Sequence, residues 1–185
     1  MDFVTSDLHL DHVNVIQHCA RPFKCLEEMR VSIIAEINAL PDGCTLYIIG
    51  DFTVGSKKTK LREILDQIKK TIKLIFILGN HDHRLAEVFA EYGEVHRLLE
   101  ITFNDVKVVM CHFPMYEWNR GQHGSIHMHG HTHGNFTTQG KMVDVGWDVY
   151  GRILTLQEAF EIADRQPIYQ PCHNKNNGLH RHELS

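Results

Sequence analysis

The residues best equipped for chemistry stand in five short runs: Asp7-Leu8-His9, Gly50-Asp51, Gly79-Asn80-His81-Asp82, His112, and Gly130-His131-Thr132-His133. Carboxylate and amide oxygens mixed with imidazole nitrogens make a borderline donor set, suited to manganese, iron, nickel or zinc. Imidazole is the commonest transition-metal ligand and titrates near neutral pH, and the chain carries 15 histidines against 5 cysteines. In Asp7-x-His9 and His131-x-His133 the donors lie two residues apart, so in extended backbone each pair shares a face and can chelate together. A single catalytic zinc usually takes three protein ligands. Asp7, His9, Asp51, Asn80, His112, His131 and His133 exceed that need, which points to two ions about 3.5–4 Å apart with one carboxylate between them. Taken singly, a strand-end aspartate such as Asp7 or Asp51 is an ordinary N-cap or turn residue, and Gly79 to Asp82 could merely cap a helix. The shared setting of all five runs argues otherwise.

That setting is a series of strand ends. Residues 3–6, 45–49, 73–78 and 106–111 are short, apolar and β-branched, with turn residues behind them. Between the first three lie helix-period segments over 26–39, stopped by Pro41-Asp42-Gly43, and over 61–68, where Leu61, Ile64, Leu65 and Ile68 make one buried stripe. This alternation predicts an α/β fold with a mostly parallel sheet, whose carboxyl edge is where ligands bind. In the second half, 98–103 and 106–111 read as a hairpin through Asn104-Asp105. Further strands are expected over 125–129 and 141–145, giving a second, more antiparallel sheet, and a final helix over 156–163. The polar, breaker-rich stretch 166–185 reads as a surface tail behind one domain over 1–165.

Composition narrows the function classes. With 185 residues, 43% hydrophobic and 23% charged, the chain has the make-up of one globular domain. A net charge of −4 argues against holding nucleic acid by bulk charge, so no extended nucleic-acid surface is expected. No apolar run reaches the roughly 18 to 20 residues of a membrane span. Cys19, Cys25, Cys44, Cys111 and Cys172 are scattered without a C-x-x-C, as expected of reduced thiols. A strand-like segment begins directly behind Met1, leaving no room for a leader, and a cytoplasmic location is expected.

The ordered set of five runs resembles the calcineurin-like metallophosphoesterase superfamily over about residues 1–160. The stretch 12–29, with Asn14, Arg21-Pro22-Phe23 and Glu28-Met29, is similar to the small phosphoesterases of bacteria and phages. The resemblance implies a two-sheet β-sandwich flanked by helices, an αββα arrangement. It implies that Asp7, His9 and His133 hold one divalent transition-metal ion and Asn80, His112 and His131 another, with Asp51 bridging. Manganese is the first expectation; iron, nickel and zinc remain open. It further implies hydrolysis of phosphodiesters or phosphomonoesters by a metal-bound hydroxide, with His81 acting in the transition state and Asp82 orienting it.

Other residues stand beside this core set. Arg21 is a candidate for a bidentate phosphate contact, and His12 and Asn14 for lining the pocket. His129 is expected to touch the site through a hydrogen bond rather than as a ligand. Trp118 and Tyr116 read as packing, with a rim for a planar leaving group as the alternative. His18, His83, His96, His173, His180 and His182 read as surface residues. A chain this short has little room for a specificity cap, so small or nucleotide-like phosphate esters and broad activity on aryl phosphates are expected. Two competing functions are a non-catalytic binding scaffold of the same fold and a mononuclear zinc hydrolase.

Overall fold

The computed structural model describes residues 1–168 and 170. The chain runs β1 (Asp2–Thr5), α1 (Asn14–His18), α2 (Leu26–Asn38), β2 (Thr45–Ile49), α3 (Lys58–Leu65), β3 (Lys73–Ile77), α4 (Ala86–Phe89) and β4 (Gly93–His96). It continues with β5 (Leu99–Phe103), β6 (Val106–Met110), β7 (Ile126–His129), β8 (Met142–Asp144), α5 (Trp147–Tyr150), β9 (Leu154–Thr155) and α6 (Leu156–Asp164). Two mixed sheets form, ordered β4-β3-β2-β1-β9 and β5-β6-β7-β8.

The period-2 alternation of the first sheet sorts its residues into two cores. Phe3, Leu46, Ile48, Leu74 and Phe76 face one way, onto Met29, Ile33 and Ile37 of α2 and Leu61, Ile64 and Leu65 of α3. Val4, Tyr47, Ile49, Ile75 and Ile77 face the other way, onto Val108, Met110, Ile126, Met128 and Val143 of the second sheet. Helix α6 joins this second core through Leu156, Ala159, Phe160 and Ala163. Strands buried on both faces read as continuous apolar runs, which is why β2 and β3 were plain in the sequence.

Directions in the second sheet differ from expectation. Among the described residues of this sheet only β5 and β6 pair antiparallel, through the turn at Asn104 and Asp105, whose φ angles are 50° and 60°. Strands β6, β7 and β8 run parallel to one another, because β6–β7 and β7–β8 are joined by long crossing loops rather than tight turns. In the first sheet β1, β2, β3 and β4 are parallel, and β9 alone is antiparallel to β1. Strand β4, Gly-Glu-Val-His, lacks an apolar run and was not expected. Of the polar tail expected over 166–185, residue 169 and residues 171–185, with Cys172, His173, His180 and His182, lie outside the described residues.

Candidate metal centre

All five chemical runs leave the sheets at carboxyl ends of parallel strands, and their loops are tied together by backbone. Asp7 N–H donates to the Gly50 carbonyl, and His9 N–H to that of Asp51, both at 3.0 Å; Gly130 N–H donates to the His112 carbonyl at 3.0 Å. Asp7, His9, Asp51, His131 and His133 all have left-handed backbone, with φ between 47° and 71°. Such strain in non-glycine residues costs of order 1–3 kcal/mol each and gathers at functional sites. Two glycines make the close approach feasible. A Cβ on Gly130 would overlap Ser6 Oγ and Asp7 Oδ2, and one on Gly50, itself at φ +84°, would overlap the His112 ring.

The side chains converge in two groups. Asp7, His9 and His133 can each point one donor atom to within 4.8 Å of the others, and so can Asp51, His112 and His131. Their spacing alone would let His131 and His133 chelate one ion from a shared face, but they fall in different groups, the division that the family resemblance implies. Both residues are left-handed rather than extended, so one imidazole turns to each group. Asp51 lies between the groups, with Oδ2 3.4 Å from His112 Nε2 and 3.9 Å from His9 Nε2. Asn80 Oδ1 sits 3.1 Å from His112 Nε2.

These residues fit divalent cations. Asp7 Oδ1 and both ring nitrogens of His9 are buried without a hydrogen-bond partner among the described residues, a costly arrangement that a cation would relieve. His112 Nδ1 donates to the Ile49 carbonyl at 2.8 Å, which turns Nε2 towards Asn80 Oδ1 and Asp51 Oδ2, at 3.1 and 3.4 Å. His133 Nδ1 lies 2.6 Å from Asp148 Oδ2, which frees its Nε2 towards Asp7. Burial opposes charge on Asp7 and Asp51, yet hydrogen bonds and fields from the surrounding histidines hold both carboxyls below the ordinary range. Burial also opposes protonation of His112, but Asp51 raises it; Asp148 raises His133 directly. Such a cluster gathers positive charge.

The contacts change other expectations. Arg21 does not face a substrate: its guanidinium is buried, paired with Asp148 and bonded to the Asp7 and Leu8 carbonyls. Asp82 does not orient His81. Its Oδ2 accepts from Asp51 N–H at 2.7 Å and Gly79 N–H at 2.9 Å, so it braces the turns carrying Asp51 and Asn80, and burial pushes its carboxyl up to about 7. His81 is half-exposed, anchored by its N–H to Asp51 Oδ1, with Nε2 3.9 Å from Asp51 Oδ2. The His12 ring lies 5.5 Å from that of His9, while Asn14 is exposed at the start of α1. His129 is buried with Nδ1 on the Gly130 carbonyl, touching the loop of His131 rather than a donor group. Trp118 packs with Val109 and Met142, while Tyr116 is exposed. His18 and His83 are exposed, and His96 is half-buried beside Glu94.

Sequence patterns missed three supporting residues. Ser6 Oγ donates to Asp7 Oδ2, while Asp144 Oδ2 accepts from Thr132 Oγ1 and Gly134 N–H, bracing the His131–His133 loop. Asp148 holds His133. Asp144 and Asp148 straddle Gly146 but have no donor spacing that would have singled them out. Beside the centre, a cavity of about 410 Å³ is lined by Gly55, Asn80, His81, His83 and Arg84.

Residues 3–177 match the model of the calcineurin-like phosphoesterases. The chain belongs to that family. Among relatives of this phosphoesterase, protein MJ1445 of Methanocaldococcus jannaschii is 34% identical over 135 residues, covering 72% of this chain and 69% of the relative. The gene 66 protein of Mycobacterium phage L5 is 24% identical, covering 86% and 92%. A crystal structure of AQ665 from Aquifex aeolicus, a protein of unknown function, shares the fold with a TM-score of 0.69 at 20% identity, over 88% of this chain and 98% of that one. Family and donor groups together make the chain a metal-dependent phosphoesterase.

Proposed function

We propose that this protein hydrolyses small or nucleotide-like phosphate esters with two divalent ions, manganese being the first to try. The observation that carries the proposal is the pair of three-donor groups, Asp7/His9/His133 and Asp51/His112/His131, with the Asp51 carboxylate in reach of both. Bound there, two ions would supply Lewis-acid polarisation of a phosphoryl oxygen and a water acidic enough to attack near neutral pH. The chain's own contributions follow from its contacts. His81, the half-exposed imidazole facing the cavity, is placed to hold a proton for the departing ester oxygen, a transfer typically worth about 10²–10⁴ in rate. Asp82 and Ser6 keep Asp51 and Asp7 in place. Cavity walls bearing His81, His83 and Arg84, with no carboxylate among them, suit an anionic substrate.

The deciding experiment loads the metal-free protein with Mn²⁺ and measures bound equivalents alongside turnover of p-nitrophenyl phosphate and bis(p-nitrophenyl) phosphate. Two equivalents with hydrolysis of either ester are expected. One equivalent at full activity would overturn the two-ion reading, and two equivalents without turnover under several metals would favour a binding scaffold.

A further inference from the structure

Arg21 and Asp148 contribute no donor to either group, yet one guanidinium reaches everything that shapes the first. Its Nε and Nη2 donate to Asp148 Oδ1 and Oδ2 at 2.6 and 2.7 Å. Nη2 also donates to the Asp7 carbonyl at 2.6 Å, and Nη1 to the Leu8 carbonyl at 2.8 Å. The guanidinium carbon lies 5.2 Å from the centre of the Trp147 ring, and only 1% of the side chain is exposed. Asp148 in turn takes His133 Nδ1 at 2.6 Å through Oδ2. One planar fork thus grips the left-handed turn that presents Asp7 and His9, together with the carboxylate that aims His133. Lysine has no such fork.

From these contacts we propose that the Arg21–Asp148 pair is a clamp that sets the cation affinity of the Asp7/His9/His133 group, and acts on the Asp51/His112/His131 group only indirectly, through the backbone bonds between the two turns. Both are positioning residues. The inference rests on the two-ion reading but on no particular substrate. Asp148 fixes which His133 nitrogen carries the proton, so that Nε2 is offered as a lone pair, and its negative charge makes the imidazole a stronger donor. Arg21 holds the backbone of residues 7 and 8 where the positive φ of Asp7 and His9 would otherwise relax.

Cys19 offers a competing geometry. Its Sγ lies 3.5 Å from His133 Nδ1, and Cys19, His133 and Asp148 together could be taken for a third metal group. Arg21 argues against it, because a guanidinium bonded to both oxygens of Asp148 opposes a cation at that carboxylate.

The test is a Co²⁺ titration of the full chain, followed by visible absorption and calorimetry, on wild type, D148N, R21K and C19S. Wild type should show two steps. In D148N one step should weaken about 10–100-fold while the other stays within about twofold, and saturating Co²⁺ should restore the full spectrum. R21K should move the same step in the same direction, and it supplies the readout if the buried charge left by D148N prevents folding. Two unchanged steps in D148N and R21K would overturn the clamp alone. Both steps weakening together, with a lowered Tm of the metal-free protein, would reduce the pair to general structure and overturn it too. A third equivalent in wild type that disappears in both D148N and C19S would make Asp148 a direct ligand, again overturning the proposal. Fewer than two steps in wild type would instead overturn the two-ion reading.

Discussion

At the scale of single residues, the centre separates side chains that hold cations from those that act on substrate. Asp51 lies between the groups and His81 beyond them. Replacing Asp51 by Asn should lower cation uptake at both groups, whereas His81→Asn should keep two equivalents and cut kcat by about 10²–10⁴. Metal analysis beside steady-state kinetics distinguishes them, and loss of metal in H81N would contradict its placement. Arg84, exposed on the cavity wall, has no ion-pair or hydrogen-bond partner among the described residues. R84Q should therefore raise KM about tenfold, or ~1.4 kcal/mol, for a substrate with a second phosphate such as a dinucleotide. For bis(p-nitrophenyl) phosphate, which has no second anion, KM should stay unchanged. Equal KM effects on both would remove Arg84 from specificity.

At the scale of elements, each helix matters through the face it covers or the loop it ends. Helix α6 starts with a full capping box: Thr155 Oγ1 accepts from Glu158 N–H at 3.1 Å, and Glu158 Oε2 accepts from Thr155 N–H at 2.8 Å. That box fixes the entry of a helix packed against both sheets. T155A should cost about 1 kcal/mol, read as a lower urea midpoint, with metal stoichiometry unchanged because α6 lies away from the donors. The turns after the strands are less tolerant. At Gly130 even alanine would collide with Ser6 and Asp7, so G130A should lose cation binding before it loses the sheets, which circular dichroism beside a metal titration would reveal.

At the scale of the whole molecule, two parallel strand sets must point their carboxyl ends the same way. The stitch between them is a parallel bridge, Ser6 to Gly146, reinforced by Trp147 N–H on the Ser6 carbonyl. Global stability should carry a pH signature from a buried histidine outside the donor groups. Burial pushes His127 down to about 4, while an unfolded histidine titrates near 6.5. Between those values the unfolded chain binds a proton that the folded one refuses, so stability should fall as pH drops through the window and level off below about 4. The slope from this one group approaches ~1.4 kcal/mol per pH unit. H127Q should flatten the curve of urea midpoint against pH by that amount; parallel curves would exclude the assignment.

The chain by itself determined the inventory and much of the frame. Apolar runs at β1, β2, β3 and β6 are long-range information written locally, because a strand buried on both faces must be apolar throughout, and the chemical residues follow directly behind them. Tertiary structure decided how those residues are shared out. Spacing two apart allowed His131 and His133 to act together, and only the family resemblance divided them; the left-handed backbone supplies the physical reason that they go to different groups. An arginine beside a proline looked free to meet phosphate, yet the fold brings Asp148 to it from 127 positions away. Backbone sign and distant charge partners are products of packing, since the energy that holds a strained φ or buries an ion pair comes from contacts that no short stretch of sequence contains.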